Sequence, residues 1–354
     1  MKTASKYQLY FFVMASFLIS LAHAFPGESI SLDPVSGNYT IIYWNESMEP
    51  PALETTTFVP STNITTTLHS SLHMERDAKI FYRYTLINAK QSRQYVGHMI
   101  LDPISEIAGV RDDRYVMIDE TDASWAALRA LSISNKAALS TPSGWRGSVS
   151  FGAMGRKENT VRVGWSNSSG LQPGGIMQGF GFASTALPGV IMAELKGRAP
   201  VHGWSGEGPT ENSAIYEQLN SIRDNNFVPR PAAVPAIAVS NSINSASLLE
   251  SIQTQMHTWI GMQLLDTTFF SQLDRYLTAA ADAYRHNQPK VVKEYIEKVR
   301  EMLKREHQDM DQDDDKEDVK SADNTKHIMI DRLAARVLDF DLQYVLKRMD
   351  KDHD

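Results

Sequence analysis

The chain has 354 residues, more than one compact core usually requires, so two domains are the starting expectation. With 42% hydrophobic and 22% charged residues it has the make-up of globular material, which excludes a disordered chain and a membrane bundle. A formal net charge of −7 argues against non-specific binding to nucleic acid or to an anionic membrane surface, and the absence of cysteine removes every thiol nucleophile and cysteine metal site.

Lys2 and Lys6 lead an apolar run from Tyr10 to Leu21, and Ala22-His-Ala24 follows as a small-x-small pattern. Residues 1–24 are therefore expected to be a secretory signal peptide cleaved after Ala24. The apolar run is shorter than the ~20 residues a bilayer span needs, and no later segment qualifies. The expected product is a soluble secreted protein, extracellular or periplasmic, with no membrane span. In such a compartment a large core makes disulfides unnecessary.

Residues 25–227 read as strand. Tyr39 to Trp44, Lys79 to Ile87, Gln94 to Leu101, Ser148 to Phe151 and Val190 to Leu195 are rich in β-branched and aromatic residues. In the second of these Ile80, Tyr82 and Tyr84 share one face. Between Trp145 and Gly197, short alternating segments are punctuated by Gln172-Pro-Gly174 and Leu187-Pro-Gly189, as in an antiparallel sandwich. The predicted architecture is an all-β, Ig-like sandwich with one interruption, a short helix over Ala123 to Leu131. Trp145 and Trp165 are expected in its core, where aromatics supply much of the buried area. Trp125 and Trp204 are left as candidate ligand contacts, an aromatic platform for sugar rings.

Residues 228–246 combine closely spaced prolines with a Ser/Asn-rich stretch, which reads as a stiff linker. Residues 247–350 then read as a small all-α bundle. Ser247 is expected to cap a first helix carrying Leu248, Leu249, Ile252, Met256 and Trp259 at three- and four-residue spacing. Thr267 or Thr268 opens a second, with Phe269, Phe270, Leu273, Leu277 and Ala281. Pro289 starts a third, with Val292, Tyr295, Ile296, Val299 and Leu303 inward. Ile328 to Leu346 makes a fourth, with Ile330, Leu333, Val337, Leu338, Leu342 and Leu346 as its stripe. Such apolar faces require partners, hence a bundle. Residues 306–325 contain the dense acidic run Asp309 to Asp318 and read as a disordered loop between the last two helices.

Few chemical motifs survive inspection. Asp309, Asp311 and Asp313 match the opening of a calcium loop, but Asp314 stands where Gly is needed and Lys320 where a bidentate Glu is needed. Asp119 to Asp122 is a second, weaker acidic group. His69 and His73 have zinc spacing only if they lie on a helix, and their Thr/Ser-rich setting suggests a strand. Gly203-Trp-Ser205-Gly206 lacks the closing Gly of a nucleophile elbow. Asn38, Asn45, Asn63 and Asn167 head Asn-x-Ser/Thr triplets, acceptors only in a eukaryotic secretory pathway. No residue is assigned a catalytic or metal-binding role, and no cofactor is implied.

The run Phe81 to Asn88, with Thr141-Pro-Ser-Gly-Trp145, Gly164-Trp-Ser166, Leu171-Gln-Pro-Gly174, Gly179-Phe-Gly-Phe182 and Leu187-Pro-Gly189, resembles a β-sandwich domain of uncharacterised secreted bacterial proteins. Trp259-Ile260, Leu273 through Ala283, Val291 to Leu303 and Leu333 to Leu346 resemble the helical FIMAH-type module at the C-terminus of such proteins. The resemblance implies an exported accessory or binding protein and carries over no catalytic residue. The expected function is secreted, non-enzymatic binding or scaffolding at the cell surface or in the extracellular matrix, with a polysaccharide or a surface protein as partner and no nucleic acid. The alternative is a secreted hydrolase with a carboxylate or metal site in the 102–122 region.

Overall fold

The structure is a computed structural model that describes residues 26–46, 48–75, 78–112, 122–151, 160–198, 214–224, 227–240, 242–307 and 329–352. The predicted signal segment, Trp204, the Ser205 motif and the acidic run from Asp309 to Asp318 lie outside the described residues.

Two antiparallel sheets carry the main core. The first has four strands in the order β4 (Thr66–Met74), β5 (Ile80–Asn88), β10 (Ile176–Ser184) and β7 (Leu139–Ser140). The second has five, in the order β12 (Val228–Ile237), β11 (Leu187–Arg198), β6 (Tyr95–Ile104), β9 (Val161–Leu171) and β8 (Arg146–Phe151). Strand β5 shows why these segments form sheets. Ile80, Tyr82, Tyr84 and Leu86 are buried on one face while Phe81, Arg83, Thr85 and Ile87 are less so, the period of two that a half-buried strand requires. Aromatic rings join the layers: Trp165 of β9 lies 6.2 Å from Tyr84 and 5.6 Å from Phe180, centroid to centroid. The Trp165 indole N–H donates to the Ser140 carbonyl and to Thr141 Oγ1, both at 3.2 Å, so this large side chain is buried without an orphan donor. Trp145 is also in the core, 4.9 Å from Phe180.

A third sheet, β1 (Ser29–Leu32), β2 (Tyr39–Asn45) and β3 (Ala52–Phe58), is an antiparallel meander. Helix α1 (Asp122–Ala137) packs beside β7 and β8, and is longer than the predicted Ala123 to Leu131. Helix α2 (Ala214–Asp224) buries Ile215 and Leu219 against Ile41 and Tyr43 of β2, giving this sheet a small core of its own.

The predicted linker is a strand. Residues 228–237 form β12, paired antiparallel with β11 along its length. The prolines that suggested a linker occupy one register. Pro229, Pro231 and Pro235 alternate in step with Ala233, whose N–H points away from β11 and donates to Ser70 Oγ at 3.1 Å. Proline is therefore confined to positions where the ladder to β11 needs no donor, as an edge strand permits.

Four helices follow: α3 (Ser245–Gly261), α4 (Thr267–Arg285), α5 (Pro289–Glu306) and α6 (Arg332–Asp352). Their predicted stripes are inward. Leu248, Leu249, Ile252, Met256 and Trp259 are buried on α3, and Val292, Ile296, Val299 and Leu303 on α5. The caps of the first two sit one to three residues earlier than predicted. Asn244, not Ser247, caps α3 and accepts from the Ser247 N–H at 2.9 Å; Asp266 caps α4 and accepts from Thr268 and Phe269. Ile330 lies before α6, in a bridge to Leu265, and Asp331 accepts from the Leu333 N–H at 2.8 Å. Between α5 and α6, Arg300 Nε donates to Asp339 at 2.6 Å.

Helices α3 and α6 lie on β11 and β12, and one continuous hydrophobic core runs from Ile64 to Met349 through both regions. The arrangement is therefore mixed α/β, with three antiparallel sheets and six helices among the described residues, and not an all-β sandwich followed by a separate small bundle. The stripes on α3 and α6 that predicted a self-sufficient bundle are in part satisfied by the sheet.

Candidate functional site

The five-stranded sheet has an apolar and a polar face, set by alternation. Met99, Leu101, Val163, Trp165, Ala193 and Leu195 turn inward and are buried. Register then aligns the outward residues in rows across four strands. Arg146, Ser166, His98 and Lys196 form one row; Ser148, Gly164, Ile100 and Glu194 form the next; Ser150 and Arg162 begin a third. One row spans about 14 Å, three strand spacings.

The middle of this face is a shallow groove of about 220 Å³, lined by His98, Ser148, Ser150, Arg162, Gly164 and Ser166 among others. Gly164 sets its depth, because a Cβ there would stand 3.0 Å from Ser148 Oγ. Ser148 Oγ donates to the Gly164 carbonyl at 3.1 Å, which holds the hydroxyl beside the depression. Arg162 makes no side-chain hydrogen bond or ion pair among the described residues, and neither do Arg146 and Arg198. Lys196 Nζ sits 6.0 Å or less from an aromatic centroid, 5.9 Å over Phe227. Half-burial, with Arg198 and Lys196 nearby, holds the His98 pKa below the usual imidazole value. At neutral pH its ring is neutral and can both donate and accept.

This set offers hydroxyls, a neutral imidazole and guanidinium groups on a broad surface. It contains no nucleophile bonded to a base: His98 makes no hydrogen bond to Ser148 or Ser166 in the described residues. Among the described residues no three His, Cys, Asp or Glu side chains come together in a way that would hold a metal ion.

The sequence-derived candidates fall elsewhere. Trp125 is on α1 and 50% exposed, and it does not line the groove. Trp204 lies outside the described residues, as do positions 113–121 of the 102–122 region. In the described part of that region Glu106 accepts from Thr185 Oγ1 at 2.5 Å, and Asn135 clamps the backbone of Arg111 through bonds of 2.9 and 2.8 Å. His69 and His73 are on β4; four residues apart on a strand they are separated by about 13 Å, too far to share a metal. Asn45 is buried, the Asn63 amide donates to Asn38 Oδ1 at 3.0 Å, and Asn167 Oδ1 accepts from the Ser169 N–H at 2.8 Å.

Polar groups also gather in the helical region. A groove of about 580 Å³ between α3 and α4 contains Glu250, Gln253, His257 and Asp274, but Gln253 is bonded to Asp274 Oδ1 at 2.7 Å and to Thr278 at 2.9 Å. Its amide is thus taken by the protein itself. At the contact of α6 with the sheet, Asp341 is buried with its Oδ1 unpartnered, and burial pushes its pKa well above the usual carboxylate range.

The sequence reading missed the sheet face because its residues are ordinary ones. The available signal was the alternation Ser148-x-Ser150 and Arg162-x-Gly164-x-Ser166 opposite large apolar residues. Only register brings the two together. No protein-family model matches the chain, and no curated protein matches it in sequence. Among the described residues no helix is long and apolar enough to cross a membrane.

Proposed function

We propose that the protein is a secreted, non-enzymatic binding protein of the cell surface or extracellular matrix, and that its ligand is a polysaccharide held on the outer face of the five-stranded sheet. The observation that carries this reading is the broad, hydroxyl-lined groove around Gly164, open along the sheet and without a nucleophile–base pair. Chains of sugar hydroxyls need many shared donors and acceptors over a long, shallow surface, which serines on neighbouring strands supply. The two facing sheets make an Ig-like sandwich the architectural type we propose for residues 64–237. The resemblance of the strand motifs and helical stripes to exported bacterial accessory proteins, including a FIMAH-like module, belongs to the same reading.

Trp125 and Trp204 are kept as proposed ligand contacts: Trp125, on the helix beside β8, stands outside the groove, and Trp204 lies outside the described residues. The test is retention of the secreted chain on insoluble polysaccharides and on cell-envelope fractions. Retention is expected, with Trp125→Ala weakening it about threefold to tenfold, about 1 kcal/mol for an exposed aromatic contact. The thermal midpoint should not move. Loss of binding together with loss of fold would remove Trp125 from the site.

A further inference from the structure

The outer rows of the sheet carry more positive than negative groups. We propose that the ligand of this face is an acidic polysaccharide, a polymer bearing uronate or sulfate groups among its hydroxyls, with Arg162 and Arg146 as the principal anion contacts. This rests on the reading of the face as a polysaccharide site and adds the chemical class of the ligand.

Four observations support the class. Arg146, Arg162, Lys196 and Arg198 are four positive charges on or beside rows that contain two carboxylates, Glu194 and Asp102, the second following Leu101 on β6 beside the row of Arg162. That balance is opposite in sign to the whole chain, whose net charge is −7. The guanidinium groups are also unengaged: Arg162, Arg146 and Arg198 make no ion pair or side-chain hydrogen bond among the described residues. By contrast Arg300 and Arg285 in the helices are both paired with carboxylates. A guanidinium is a planar fork of donors matched to carboxylate or sulfate oxygens. Third, the charges are spaced by hydroxyls and not clustered. Ser148, Ser150 and Ser166 lie between Arg146 and Arg162 on neighbouring strands. A ligand that alternates anionic groups with hydroxyls fits this order, whereas a lone phosphate would use one arginine and leave the serines idle. Fourth, the groove offers no exposed aromatic ring: the one tryptophan that lines it, Trp165, is 1% exposed. Single-stranded nucleic acid, the other common polyanion, is held by a positive groove combined with aromatic side chains on which its bases stack. The groove lacks that platform.

The test uses the whole secreted chain in affinity electrophoresis through gels containing polygalacturonate, a neutral dextran, or single-stranded DNA. Four variants accompany the wild type: Arg162→Gln, Arg146→Gln, Arg162→Lys and, as a control of equal charge change on α5, Lys304→Gln. The expected result is retardation by polygalacturonate only, weakened at least tenfold by Arg162→Gln and partly restored in Arg162→Lys. Lys304→Gln should match the wild type, and retardation should fall steeply between low salt and 0.5 M salt as screening grows. Equal retardation by dextran and polygalacturonate would overturn the acidic class while leaving a polysaccharide site. Retardation by DNA as strong as by polygalacturonate would replace the proposal with a general polyanion surface. No retardation by any gel would overturn this inference and the polysaccharide reading together. Arg162→Gln and Arg146→Gln that fold like the wild type and bind polygalacturonate equally well would remove the assigned contacts.

Discussion

Asp341 and Arg162 are both ionisable residues whose side chains have no hydrogen-bonding partner among the described residues, and their settings give opposite outcomes. Asp341 lies in the contact between α6 and the sheet, 1% exposed, where desolvation disfavours the ionised form. Tyr82, whose pKa is raised by burial and then by Asp341, donates its hydroxyl to the Ala186 carbonyl at 2.8 Å and not to Asp341. Arg162 reaches solvent and keeps both its charge and its donors. The missing partner thus costs stability in the interior and creates binding capacity at the surface. Whether an unsatisfied group is a burden or a site depends on its access to water.

The comparison can be sharpened by substitutions on each side of it. The largest effect is expected beneath the groove. Trp165→Ala removes a buried side chain that touches both sheets and should cost about 3–5 kcal/mol in chemical unfolding. A loss under about 1 kcal/mol would mean that the two sheets do not depend on that contact.

Next comes Asp341. A carboxyl whose folded pKa is raised holds its proton better in the folded state. Stability is therefore fully present below the unfolded value near 3.8 and is lost as pH rises toward the folded pKa. The folding equilibrium should weaken by up to about tenfold per pH unit across that window. Asp341→Leu should abolish this dependence and raise stability at neutral pH by about 1–3 kcal/mol, the penalty of an unsatisfied buried polar group. Melting curves of the two proteins at several pH values provide the comparison; parallel profiles would show that Asp341 finds a partner or water when folded.

The smallest effect is expected for Arg162→Gln, within about 0.5 kcal/mol of wild type, since no internal bond is lost. Substantial destabilisation would identify Arg162 as structural and weaken its role in the groove.

Much of the helical region was legible because helix periodicity is local. The apolar residues of α3 and α5 recur at three and four, and burial follows them closely. Two caps were displaced, since Asn244 and Asp266 compete with neighbouring Ser and Thr for the same role, and the last helix runs over Arg332–Asp352 in place of Ile328 to Leu346. The β region was legible strand by strand, as in β5, but sheet order depends on contacts across a hundred residues or more. The pairing of Tyr84 with Ala233 has no local signature. Strand β12 was misread for a definite reason: proline density signals a linker, and only its alternate spacing indicates an edge strand. The groove was illegible because serine, glycine and arginine acquire meaning there through register. Of the residues singled out in advance, Trp145 and Trp165 are in the core as expected, and Trp125 is exposed but outside the groove.

The proline register of β12 has a consequence for how the protein behaves at high concentration. From Pro229 to Pro235 the side of the strand turned away from β11 offers no free amide hydrogen, because three positions lack one and Ala233 spends its own on Ser70. A strand from a second molecule would meet no donor there, and the carbonyls of Pro229, Ala233 and Pro235 already accept from Arg230, Tyr84 and Ser105, so it could not zip along this margin. The sheet is thereby protected on this side from fibrillar self-association, a safeguard written into backbone chemistry and independent of surface charge.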